Sequence, residues 1–131
     1  MVKIVLATLN ARYTHSSLAL YYLLEVLKRE HYEVILSEFN INQPHLQILT
    51  KLAAQKADYY AFSVYIWNVQ QTRRLLLDLK QLTTDARFIL GGPEVSYDHQ
   101  NWLKELPWLD HIVVGSGENA IRKIISQEID Q

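Results

Sequence analysis

The sequence contains no cysteine among its 131 residues. This absence excludes disulfides, cysteine-based zinc sites, thiol catalysis and iron–sulfur ligation within the chain. The sequence also lacks any run of about 18 apolar residues, so we expect no segment to span a membrane. Its formal net charge of -1 provides no excess of basic charge of the kind that binds nucleic acid or anionic membranes. We therefore expect neither as a partner.

The beginning of the chain does not have the pattern of a signal peptide. The apolar run after Met1 leads into polar residues within ten positions, and the charged flank of a secretory signal is missing. We therefore expect a cytoplasmic protein. The hydrophobic fraction of 49% and the charged fraction of 21% are ordinary for a globular domain. The length corresponds to one domain with a single core.

Short apolar segments alternate with amphipathic ones along the chain. The apolar segments predict strands at Val2–Thr8, Glu33–Phe39, Asp58–Val64, Ala86–Leu90 and His111–Val114. The amphipathic segments predict helices at Leu18–Glu30, from Pro44, from Asn68 to about Leu82, around Tyr97–Leu106 and at Asn119–Glu128. Five alternations of strand and helix indicate a doubly wound α/β domain with a parallel sheet, of flavodoxin-like (Rossmann-like) strand order 2-1-3-4-5.

Ligands of such sheets lie beyond the carboxyl ends of the strands. The loops that meet there are Asn10–His15, Ser63–Asn68, Gly91–Ser96 and Gly115–Glu118. Glycine-lined backbone in two of them permits a close approach of a ligand. The aromatic residues of the first two loops provide either a wall for a large flat ligand or a cover for the sheet end. Asn68, with Gln71 three residues later, predicts a capping box for the third helix.

Common enzyme signatures are missing from these loops. No Gly-x-Gly-x-x-Gly follows the first strand, and the sequence has no Walker-type phosphate loop. The acidic cluster of a phosphoacceptor receiver domain is absent, and no serine has an evident base partner. His15 is a possible metal ligand, but a local hydrogen-bonding role is the simpler interpretation because no second ligand has suitable spacing. Glu94 and Glu118 follow glycine turns, where they either bind a ligand or interact with a helix dipole.

Four segments together resemble a known family. They are Ala-Thr-Leu-Asn-Ala-Arg-Tyr-Thr-His-Ser-Ser-Leu-Ala-Leu (7–20), Phe-Ser-Val-Tyr-Ile-Trp-Asn (62–68), Leu-Gly-Gly-Pro-Glu-Val-Ser (90–96) and Val-Gly-Ser-Gly-Glu (114–118). They resemble the N-terminal cobalamin-binding domain of cobalamin-dependent radical SAM proteins. The branch includes proteins related to the anaerobic magnesium-protoporphyrin IX monomethyl ester oxidative cyclase. The resemblance covers nearly the whole chain, 1–131.

The resemblance implies that cobalamin lies across the carboxyl ends of the strands, with its nucleotide tail near Ser63, Gly91 and Gly92. It implies no catalytic residue and no metal ligand in this chain. The cofactor-binding residues that it implies are Asn10, Ala11, Arg12, Tyr13, His15, Ser63, Tyr65, Ile66, Trp67, Gly91, Gly92, Pro93, Glu94, Gly115, Gly117 and Glu118.

Two departures from the family pattern qualify this expectation. The Asp-x-His-x-x-Gly motif that supplies a histidine to cobalt is absent from 10–15, so we expect cobalamin to bind without it. The family's cysteine cluster is also absent, so we expect a fragment of a longer enzyme, of methyltransferase or oxidative cyclase type. A radical SAM domain elsewhere in that parent chain would hold the 4Fe-4S cluster and S-adenosylmethionine. The alternatives are a degenerate domain used for interaction or substrate recognition, and a nucleotide-binding flavodoxin-like domain.

Overall fold

The computed structural model describes residues 1–11, 18–113 and 118–129, in which strands and helices alternate. The strands are β1 (Lys3–Asn10), β2 (Glu33–Asn40), β3 (Tyr59–Ser63), β4 (Arg87–Gly91) and β5 (His111–Ile112). The helices are α1 (Leu18–Arg29), α2 (His45–Ala54), α3 (Val69–Leu82), α4 (Pro93–Glu105) and α5 (Glu118–Ile129). The strands form one parallel sheet of order β2-β1-β3-β4-β5. The predicted fold and strand order are confirmed.

Helices cover both faces of the sheet, which explains why its strands are apolar on both sides. On one face, alternate residues of β1, β3 and β4 pack with α2, α3 and α4 in one core cluster, which includes Leu9, Tyr60, Leu76 and Trp102. On the other face, the intervening strand residues pack with α1 and α5, in a cluster that includes Leu6, Ala61, Leu23, Leu27 and Ile125. Because side chains alternate along a strand, every strand residue can be assigned to one of these two faces.

Tyr60 is fully buried in the first of these clusters. Its hydroxyl donates to the Leu52 carbonyl at 2.7 Å and accepts from the Ala57 N–H at 3.3 Å. Burial raises the pKa of Tyr60 because the phenolate would be desolvated. The hydrogen bonds offset the cost of burying the hydroxyl, and they join α2 to β3.

Several element boundaries differ from those predicted, among them the end of β1 and the start of α4. β1 continues to Asn10, which pairs with Asn40 rather than opening the following loop. α4 begins at Pro93 instead of near Tyr97, because proline suits the first helical position directly after Gly92. Asp98 has non-helical φ and ψ angles of -131° and 34°. This interruption breaks the helical spacing of the apolar residues, so the first turn of α4 could not be predicted from that spacing. In the described part of the chain, no helix is long and apolar enough to cross a bilayer.

Candidate functional site

A row of small residues crosses the centre of the sheet at its carboxyl edge. Thr8 of β1 pairs with Ser63 of β3, and Ser63 pairs with Gly91 of β4. The alternation of side chains places all three on the face that α1 and α5 cover. We call Thr8, Ser63 and Gly91 the small-residue row. Thr8 was not among the site residues predicted from the sequence. The sequence offers only a weak signal, since Thr8 is a polar residue near the end of the apolar run of β1.

The Thr8 hydroxyl is buried without a hydrogen-bond partner among the residues that the structure describes. Thr8 is 0% exposed, so water does not solvate the hydroxyl from outside. A buried polar group without a partner costs roughly 1–3 kcal/mol. Native proteins satisfy nearly all such groups, and a bound ligand is one way to do so. The hydroxyl is therefore a candidate ligand contact.

Gly91 and Gly92 differ in what their missing side chains leave open. A Cβ atom built on Gly91 has no described atom within 4 Å. A Cβ atom on Gly92 would lie 2.5 Å from the carbonyl oxygen and 2.7 Å from the nitrogen of Val64. Gly92 also has φ and ψ of 104° and 169°, a region that is essentially restricted to glycine. The fold itself requires glycine at position 92, whereas no described atom occupies the space beside Gly91.

The loop between β3 and α3 holds two stacked aromatic rings beside the row. The rings of Tyr65 and Trp67 are parallel within 3°, with centroids 4.6 Å apart. The Trp67 Nε1–H donates to the Leu9 carbonyl at 3.1 Å, which fixes the indole over the end of β1. Trp67 is nevertheless 43% exposed, and Ile66 is 77% exposed. The rings stack on each other, and none of their atoms lies within 4 Å of a Cβ atom built on Gly91.

Asn68 fixes this loop by hydrogen bonds that the sequence did not reveal. Its Oδ1 accepts from the Tyr65 N–H at 2.9 Å, and its Nδ2 donates to the carbonyls of Leu9 at 2.9 Å and Ser63 at 3.4 Å. The side chain makes no capping hydrogen bond to α3, so the predicted capping box with Gln71 is wrong. The Asn68 amide hydrogen-bonds to Leu9 of β1, 59 residues away in the sequence, rather than to the helix that follows it.

Replacing Asn68 tests this role. Asn68 is 1% exposed, so Asn68→Ala would remove three hydrogen bonds to backbone groups and should lower the free energy of unfolding by about 1–3 kcal/mol. Asn68→Asp should destabilise at least as much, because a carboxylate would face the Leu9 and Ser63 carbonyls. An ordinary N-cap would accept aspartate without loss. Urea denaturation of the three proteins measures the difference, and a fully stable Asn68→Asp variant would contradict this assignment.

The other predicted site residues divide into those that the structure places and those that it does not. The side chain of Asn10 is directed to β2, where its Nδ2 lies 3.5 Å from Oε1 of Glu38. Ala11 follows the end of β1, and Pro93 and Glu94 form the first turn of α4. Glu118 is the first residue of α5. Glu94 lies in the first turn of α4, where the helix dipole favours negative charge. Arg12, Tyr13, His15, Gly115 and Gly117 lie outside the described residues.

A cleft of about 170 Å³ opens on the opposite face of the sheet, between α2 and α3. Its lining residues are Leu9, Gln43, His45, Ile48, Gln71 and Arg74. We call this space the amide cleft. His45 Nε2 lies 2.6 Å from Oδ2 of Asp78, which joins the first residue of α2 to α3 beside the cleft. Leu9 also receives the Trp67 and Asn68 hydrogen bonds, so the amide cleft and the aromatic loop share the end of β1.

Residues 4–125 match the model of the B12 binding domain family. The chain belongs to this family. The B12-binding domain thus covers nearly the whole chain, and its carboxyl edge is the edge that carries the small-residue row. The family membership agrees with the resemblance found in the sequence.

Curated relatives of this B12-binding domain are larger enzymes. The chain is 28% identical over 85 residues to the anaerobic magnesium-protoporphyrin IX monomethyl ester cyclase of Rubrivivax gelatinosus, an alignment that covers 65% of the chain and 15% of the cyclase. It is 26% identical over 72 residues to the cobalamin-dependent radical SAM methyltransferase TokK of Streptomyces tokunonensis, covering 55% of the chain and 11% of TokK. The chain therefore spans only a small part of the length of these relatives.

Solved structures share the fold of the B12-binding domain. The cobalamin-dependent S-adenosylmethionine radical enzyme OxsB, with aqua-cobalamin and S-adenosylmethionine bound, superposes with a TM-score of 0.81 at 16% identity, over 99% of this chain and 19% of OxsB. A cobalamin-binding protein from Desulfitobacterium hafniense DCB-2 superposes with a TM-score of 0.65 at 19% identity, over 93% of this chain and 58% of that protein. At such identities the similarity establishes the fold.

Proposed function

We propose that this chain binds cobalamin at the carboxyl edge of its sheet, with the nucleotide tail against the small-residue row and the corrin ring facing the loop of Tyr65–Trp67. The observation that carries the proposal is the buried Thr8 hydroxyl, which has no described partner and lies in register with Ser63 and with the open space at Gly91. Membership of the B12-binding family supports the choice of ligand.

Each element of the edge has a distinct part in this proposal. Thr8 and Ser63 offer hydroxyls that donate or accept hydrogen bonds, and Gly91 offers clearance for the tail. The stacked rings of Tyr65 and Trp67 and the exposed Ile66 offer a flat apolar surface to the corrin. Cobalamin supplies a cobalt centre that carries alkyl groups or electrons. The residues of this chain bind and orient it, and none is assigned a catalytic role.

We also propose that the chain is the cobalamin-binding module of a radical SAM enzyme of methyltransferase or oxidative cyclase type. The relatives support this, since TokK and the Rubrivivax cyclase share this part of their sequences with the chain. The 4Fe-4S cluster and S-adenosylmethionine would belong to another domain of the parent protein, because this chain has no cysteine. Without the Asp-x-His-x-x-Gly motif, bound cobalamin would have no protein imidazole from that motif on cobalt.

Equilibrium dialysis against hydroxocobalamin, with visible spectra of the retained cofactor, tests the proposal. We expect retention of cobalamin by the chain, with tighter retention by the longer parent protein. Failure of both to retain it at high micromolar cobalamin would falsify the assignment. Retention of a flavin or an adenine nucleotide through purification would instead favour a nucleotide-binding domain.

Thr8→Val separates ligand binding from stability, because valine has nearly the shape of threonine but no hydroxyl. Removing an unpartnered buried hydroxyl should leave the ligand-free protein as stable as wild type, or more stable by about 1 kcal/mol. Cobalamin binding should weaken by roughly 5- to 20-fold, the effect of losing a buried hydrogen bond. Thr8→Ser, which keeps the hydroxyl, should retain most of the affinity. A Thr8→Val protein with wild-type affinity would remove the hydroxyl from the site.

A further inference from the structure

The geometry points to a second contact for the proposed ligand: the amide cleft binds a carboxamide arm of the corrin periphery. This inference rests on the proposed function. The cleft of about 170 Å³ corresponds to the volume of roughly five or six water molecules. Sites for whole drug-sized ligands measure roughly 300–1,000 Å³. The amide cleft is therefore too small for a cofactor and suits one side arm of it.

Two glutamines give the amide cleft its chemical selectivity. Gln43 Oε1 accepts a hydrogen bond from the Asn40 N–H at 2.7 Å. Gln71 Nε2 donates to the carbonyl of Ile41, in the same turn. These bonds fix which end of each side-chain amide is already used. Among the described residues, no hydrogen bond engages the Gln43 NH₂ group or the Gln71 carbonyl oxygen, and both side chains line the cleft.

A donor and an acceptor that line one cleft are together the complement of a primary carboxamide. The carbonyl of such a ligand accepts from the Gln43 NH₂, and its NH₂ donates to the Gln71 oxygen. Arg74 lines the same cleft and can donate a further hydrogen bond to the ligand carbonyl. Leu9 and Ile48 provide apolar contacts for the methylene stem of the arm. The corrin ring of cobalamin carries several acetamide and propionamide arms, which have this construction.

The position of the amide cleft fits a ligand that lies across the sheet edge. The small-residue row lies on the α1 and α5 face, and the amide cleft lies on the face of α2 and α3, both where β1 ends. A ligand with its tail against the row and its ring over the aromatic loop reaches the second face by a peripheral arm. The tail and the arm would thus hold the corrin from both faces of the sheet.

Gln43→Glu tests the amide cleft with little change of shape. Glutamate keeps an oxygen for the Asn40 N–H but replaces the free NH₂ donor with an acceptor that repels a ligand carbonyl. We expect cobalamin to bind roughly 5- to 30-fold more weakly. The matched control is Gln81→Glu, which makes the same charge change at an exposed position near the C-terminal end of α3. Affinities come from equilibrium dialysis, and thermal melts check that both variants fold.

Cobinamide has the corrin ring but no nucleotide tail, so its binding distinguishes a contact with the ring from a contact with the tail. Gln43→Glu should weaken cobinamide binding by the same factor as cobalamin binding, whereas Thr8→Val should affect cobalamin alone. Equal affinity of Gln43→Glu and wild type for cobalamin would overturn this inference and leave the proposed function intact. The same conclusion would follow if Gln43→Glu weakened the binding of cobalamin but not of cobinamide. A wild-type protein that binds no cobalamin would overturn both.

Discussion

Gly91→Val should reduce cobalamin affinity by at least about 100-fold while the protein stays folded. Valine would place its branched side chain in the space beside Ser63, where no described atom lies within 4 Å of a Cβ atom on Gly91. The free energy of unfolding should change by no more than about 1 kcal/mol, because Gly91 lies in a strand, where valine is favoured over glycine. Equilibrium dialysis and urea denaturation measure the two quantities separately.

Gly91→Ala is the graded control for this expectation. A single methyl group fills less of the space, so the loss of cobalamin affinity should be smaller than for valine, with equal or higher stability. Cobinamide binding should survive both substitutions, because the row is assigned to the nucleotide tail. A Gly91→Val protein that binds cobalamin as tightly as wild type would exclude the small-residue row from the site.

The fold was predictable because local and long-range requirements agree along most of the chain. The apolar run of β1 and the one-sided apolar spacing of α3 each have one structural solution in a doubly wound sheet. Ser63 and Gly91 could be predicted as edge residues because they end their strands. Thr8 could not be singled out, because its importance depends on lying in register with Ser63. Register is a property of the assembled sheet, and the sequence of a single strand gives little information about it.

The two errors at helix starts have different physical origins. Asn68 and Gln71 have capping-box spacing, but the amide of Asn68 binds Leu9 and Ser63, and Gln71 binds Ile41. In both cases a tertiary acceptor outcompetes a local one, which periodicity and spacing cannot reveal. The start of α4 was missed because Asp98 interrupts the helical pattern after its first turn. The amide cleft was missed for the related reason that its residues come from two helices and the turn before one of them.

Gly92→Ala should lower the free energy of unfolding by about 2–5 kcal/mol, in contrast to Gly91→Ala. Part of this loss is the strain of an L-residue at φ 104° and ψ 169°, about 1–3 kcal/mol. The rest comes from the overlap of the new Cβ with the Val64 backbone, at 2.5 Å from its oxygen and 2.7 Å from its nitrogen. Backbone atoms at the end of β3 cannot rotate away as a flexible side chain can.

The same contact explains why a substitution at position 92 is a poor test of ligand binding. Val64 N–H donates to the Gly91 carbonyl at 2.8 Å, and the Glu94 N–H donates to the Val64 carbonyl at 3.3 Å, so a shift of Val64 disturbs the ends of both β3 and β4. Gly92→Ala should therefore weaken cobalamin binding only as far as it unfolds or displaces this edge, and saturating cobalamin should restore part of the lost stability. Urea midpoints with and without cobalamin measure this. A Gly92→Ala protein as stable as wild type would show that the turn can be rebuilt away from Val64 at little cost, and position 92 would then become a valid probe of the site.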